Sequence, residues 1–82
     1  GHSMEPTIKI GSEVLVSGIP YIFSKPKIGD IVIFRKDEKI YIERIVRTKN
    51  NEYSLAGDNE KDSVDIDWIS KINIIGKLLF IF

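Results

Sequence analysis

Short runs of β-branched and aromatic residues, each closed by a polar or glycine-containing turn, recur along this chain and leave little room for a helix. Glu13 to Val16 (EVLV) follows Gly11-Ser12 and ends at Gly18-Ile19-Pro20. Ile31 to Arg35 (IVIFR) follows the turn pair Gly29-Asp30 and reads as a mostly buried strand. Polar Lys36 to Lys39 then leads into Ile40 to Thr48 (IYIERIVRT), so a hairpin joins the two runs. Lys49-Asn50-Asn51 makes a second turn into Glu52 to Ala56, and Gly57 to Asp67 reads as a polar loop. Ile72 to Phe82 closes the chain as a last strand, and Gly18 to Ile28, with two prolines, reads as an irregular connection. No 3.6-residue periodicity interrupts this pattern. The expectation is a mainly β, compact antiparallel domain occupying residues 1–82 as a single unit.

An 82-residue chain has room for one modest core. Its apolar fraction of 43% argues against disorder. Lys plus Arg and Asp plus Glu balance at 12 each, without the net basic face that a nucleic-acid partner needs. The absence of cysteine removes disulfides, thiolate nucleophiles and cysteine-ligated zinc together. His2 is the only histidine, so a Ser-His-Asp triad has no other imidazole to use and His-rich metal sites are excluded. No phosphate-cradling glycine loop lies between a strand and a helix, so metal, nucleotide and organic cofactors have no support. No apolar run reaches the roughly 18 to 20 residues that span a bilayer. No charged segment followed by an apolar one opens the chain as a targeting peptide.

Gly1-His2-Ser3-Met4-Glu5-Pro6-Thr7 is the segment most suggestive of chemistry. A nearby glycine lets backbone approach closely, and Pro6 fixes φ just after the turn, which suits an exposed nucleophilic serine. The same features suit an ordinary turn or capping serine, and the segment alone does not separate the two.

Four further segments bear on that choice. Gly-x-Ser-Met-x-Pro-Thr resembles the nucleophile box of the type I signal peptidases. In the same order, Gly29-Asp30-Ile31-Val32-Ile33-Phe34 resembles that family's Gly-Asp-hydrophobic strand, and Tyr41-Ile42-Glu43-Arg44 its Tyr-Ile-Lys-Arg strand. Gly57-Asp58-Asn59 with Ser63 and Asp65 resembles its Gly-Asp-Asn…Ser-x-Asp box, and Gly76-Lys77 its late Gly-Lys pair. The resemblance spans nearly the whole chain and implies a mainly β serine endopeptidase that cuts leader peptides from secreted preproteins. It implies Ser3 as nucleophile, with its own backbone N–H at the oxyanion. Where some members carry a second hydroxyl this chain has Gly1. Met4, Tyr41 and Ile42 fall where the family binds an extended substrate by strand addition, although Ile42 reads equally as core. Asp58, Ser63 and Asp65 fall where it supports the site, and Asp58 also suits a tight Gly-Asp-Asn turn.

The departure is Glu43. The family places its general base there, as lysine or histidine, whereas an ordinary glutamate near pKa 4.3 is a feeble base at neutral pH. Alternation sets Glu43 on the same face as Tyr41 and Ile45, with Arg44 opposite, and burial would raise its pKa. Three explanations stand open: Glu43 is an unusual base, another group such as the poorly placed His2 substitutes, or hydrolysis has been lost. The resemblance implies a membrane-tethered enzyme facing the extracytoplasmic side, its anchor preceding Gly1. The alternatives are a catalytically silent module that grips an extended peptide, and a cytoplasmic self-cleaving repressor-type peptidase of the same fold.

Overall fold

The structure is a computed structural model that describes residues 2–82; the expectation concerning Gly1 lies outside the described residues. Six antiparallel strands form one sheet in the order β1-β6-β2-β3-β4-β5: β1 Val14–Ser17, β2 Ile31–Lys36, β3 Lys39–Lys49, β4 Glu52–Ala56, β5 Ile66–Ser70 and β6 Ile74–Ile81. The mainly β reading holds. One helical turn, α1 Pro20–Phe23, and a 3₁₀ turn, Lys71–Asn73, are the helical segments among the described residues. No helix among them is long and apolar enough to cross a membrane.

The two central hairpins have two-residue loops. Lys36 pairs with Lys39 around Asp37-Glu38, at φ 51° and 65°, and Lys49 pairs with Glu52 around Asn50-Asn51, at φ 49° and 63°. Left-handed φ at both loop residues is the geometry that matches the twist of the flanking strands. Asn tolerates it well, Glu poorly. Period-two alternation then turns Val32, Phe34, Ile45 and Leu55 fully inward, where Tyr53, Ile66, Ile69 and Tyr21 complete the core.

Two features differ from the sequence reading. Ile66–Ser70 is a strand, although its first two residues fall within the predicted loop. Strand pairing shifts between Tyr53 and Leu55, where Trp68 stands at φ 61°, so Ile66 and Ile69 are both buried although three residues apart. This bulge hides the alternation. The connection Gly18 to Ile28 contains α1, held down by Tyr21, whose hydroxyl donates to Asp30 Oδ2 at 2.7 Å.

Candidate active site

Ser3 lies on a turn fastened from both sides. Within the segment, Glu5 N–H donates to His2 O at 3.1 Å and Ile8 N–H to Met4 O at 2.9 Å, while the Met4 side chain is buried. From across the sheet, Asn59 donates its backbone N–H to Ser3 O at 2.8 Å and its Nδ2 to His2 O at 3.1 Å. Gly57 lies flat against the serine: a Cβ there would stand 2.5 Å from Ser3 O and 3.1 Å from Ser3 Cβ. Only glycine lets the end of β4 approach so closely.

Asp58 ties the turn to the sheet. Its carboxylate accepts Nε and Nη2 of Arg44 at 2.8 and 2.7 Å, and the Thr7 hydroxyl at 2.6 Å. Arg44 in turn donates Nη1 to Gly29 O at 2.7 Å. The hydrogen bonds from Arg44 hold the Asp58 carboxyl below the usual carboxylate range and raise the guanidinium in return. One fork thus joins the Ser3 turn, β3 and the loop before β2. Ser63 makes a second link, accepting Gly57 N–H and donating to Asp65 Oδ1, both at 2.9 Å.

Glu43 sits opposite Val32 in the β2–β3 pairing and is 2% exposed. Its Oε1 has no hydrogen-bond partner among the described residues. Burial first, and the nearby charge of Asp65 second, push its pKa from an ordinary 4.5 up to about 7. A buried carboxyl without a partner resists ionisation in this way because the charged form loses its hydration.

The neighbouring residue on β3 faces elsewhere. Ile42 shares an open cleft of about 260 Å³ with Ser3, Met4, Ile8, Ile10 and Val14. Apolar walls beside a serine suit a small or aliphatic side chain of an extended peptide. A second, polar hollow of about 450 Å³ is lined by Gly57, Asp58, Glu60, Ser63 and Asp65.

Of the residues singled out in the sequence, Ser3, Met4 and Ile42 therefore meet in one cleft, and Asp58, Ser63 and Asp65 support the backbone around it. Tyr41 stacks on Phe34 (centroids 5.3 Å apart) against the core. Among the described residues no hydrogen bond joins Ser3 to Glu43, and His2 is paired with Glu5 at 2.8 Å. No group of three or more His, Cys, Asp or Glu among them is placed to hold a metal. The sequence reading placed Arg44, Thr7 and Asn59 within the matching segments but gave them no role, since their roles depend on contacts across 14, 51 and 56 residues of chain. It also missed the cleft walls Ile8, Ile10 and Val14, for which the alternation of Ile8 and Ile10 about Lys9 is the signal in the sequence.

The molecule is thus a small antiparallel β domain that presents a serine beside an open cleft. A family model described as Peptidase S24-like matches residues 1–79, and the chain belongs to that family. No curated protein and no solved structure matches it.

Proposed function

We propose that this domain is a serine endopeptidase that cleaves an extended peptide, with Ser3 as nucleophile and Glu43 as general base. The observation that carries this reading is the state of Glu43. A carboxyl raised to about 7 is close to half ionised at neutral pH, and so is matched to taking the serine proton, which an ordinary glutamate is not. Proton transfer from Ser3 Oγ to Glu43 would leave a neutral carboxylic acid, the form that its buried surroundings favour. The resulting alkoxide attacks the scissile carbonyl, with the Ser3 N–H available to the oxyanion. This transfer requires Ser3 and Glu43, which share no hydrogen bond among the described residues, to approach one another when substrate binds, as catalytic hydrogen bonds often tighten only in the complex. The apolar cleft and the order of the five sequence boxes favour leader peptides as substrates, in the manner of signal peptidase I. That reading places the domain at the extracytoplasmic face of a membrane.

A second reading rests on the same geometry. Because no hydrogen bond joins Ser3 to Glu43 among the described residues, the cleft serves equally to hold an extended peptide without cutting it. Incubation with a leader-peptide substrate, read by mass spectrometry, separates the two. Cleavage after a small residue, lost in Ser3→Ala, is the expected result. Activity appearing only in Glu43→Lys would identify a scaffold lacking its base. Binding without cleavage in either form would support the silent module.

A further inference from the structure

Among the described residues one charged side chain lines the cleft beside Ser3, that of Lys9. The walls around it are apolar, and Ser12 completes the polar rim. Lys9 shares that rim with Ser12 because the chain reverses between them. Ser12 N–H donates to Lys9 O at 3.0 Å, and Gly11 stands at φ 85°. This is a four-residue turn whose third position takes a left-handed φ, so the Cα atoms of its first and last residues lie within about 7 Å. An ammonium and a hydroxyl are thereby set near one another above an apolar floor, in the same cleft as the serine.

Neither group is engaged within the protein. Lys9 is exposed and takes part in no ion pair among the described residues, and Ser12 Oγ in no hydrogen bond. The carboxylates nearest in sequence do not line the cleft. Glu5 lies against His2 Nδ1 at 2.8 Å, and Glu13, between the lining residues Ser12 and Val14, is not among them. Asp58, which reaches the same segment through Thr7, is paired with Arg44 at 2.7 Å. Glu43 is buried outside this lining. A carboxylate has two oxygens, and here one can accept from the ammonium and the other from the hydroxyl.

We propose that Lys9, assisted by Ser12, selects peptides that carry a carboxylate beside the aliphatic side chain filling the cleft. The proposal rests on reading the cleft as a peptide site, and it makes Lys9 a specificity-determining residue rather than a catalytic one. The carboxylate belongs to a Glu or Asp side chain or to the end of the peptide, and the two sources are separable.

Binding measured by fluorescence anisotropy on Ser3→Ala, which holds peptide without cutting it, tests the proposal. The probes are C-terminally amidated leader-type peptides with Glu, Gln or Lys scanned through successive positions, and one peptide compared as free acid and amide. At the matching position Glu should bind about fivefold tighter than Gln, and salt should erode the difference. Lys9→Gln should abolish the preference, Lys9→Arg should keep it, and Lys9→Glu should transfer it to the Lys peptides. Because Lys9 is exposed, all three variants should keep the parent's circular dichroism spectrum. A preference for the free acid without one for Glu would assign the carboxylate to the peptide's end. Peptides that bind with no carboxylate preference at any position would overturn the proposal and leave the peptide site standing. So would a preference that survives Lys9→Glu. Absence of binding by every peptide would instead overturn the reading of the cleft, and this proposal with it.

Discussion

Glu43 brings stability and chemistry into opposition on one side chain. Its folded pKa lies above the unfolded value, so the native state holds a proton that the unfolded chain releases between about pH 4.5 and 7. Whatever stability the neutral carboxyl contributes is complete below pH 4.5 and is lost as pH rises through 7. A shift of this size corresponds to roughly 3 kcal/mol. Glu43→Gln should match the parent at pH 4 and exceed it by an amount approaching that figure at pH 8, as measured by urea unfolding at several pH values. Equal pH dependence in the two proteins would contradict the assignment. Gly57 poses a steric test at the same scale. Gly57→Ala drives a methyl against Ser3 O, and should cost about 1–3 kcal/mol of stability. Peptide cleavage should fall with it as the serine turn is displaced.

Among the elements, the hairpins and the Asp58 fork carry the next predictions. Glu38 occupies a left-handed position at φ 65° that glycine adopts without a Cβ penalty. Glu38→Gly should therefore stabilise the β2–β3 hairpin by about 0.5–1 kcal/mol, visible as a higher thermal midpoint. Asp58→Ala removes three hydrogen bonds that join the Ser3 turn to β3, and should cost about 2–3 kcal/mol. Because Asp58 titrates below its ordinary value, that contribution is present at neutral pH and fades as pH falls through the folded pKa, the reverse of Glu43. The urea midpoints of Asp58→Ala and the parent should converge in acid. The strands from β2 to β4 were legible in the sequence because period-two alternation and polar turn pairs agree there, and the same alternation set Glu43 on the inner face with Ile45. β5 was not, because the left-handed Trp68 breaks the alternation between Ile66 and Ile69. The Arg44–Asp58 pair was hidden for a different reason: their neighbouring placement follows from the β3–β4 register, in which Arg44 lies opposite Ala56, two residues before Asp58.

At the scale of the whole molecule, the chain is neutral and its functional surfaces are local. The serine cleft lies beside the end of β4 that leads into Gly57 and Asp58. Membership of the Peptidase S24-like family makes the serine cleft the place to look for activity, and under the proposed mechanism Glu43 is the residue on which that activity turns. The dependence of kcat/KM on pH, measured between pH 5 and 9 on one leader peptide, tests this most directly. With Glu43 as base, the rate should climb about tenfold per pH unit in acid and level off near pH 7, and Glu43→Gln should lower the plateau by about 10²–10⁴. A rate that ignores Glu43→Gln, or a profile with no inflection near pH 7, would show that the serine draws its base from elsewhere.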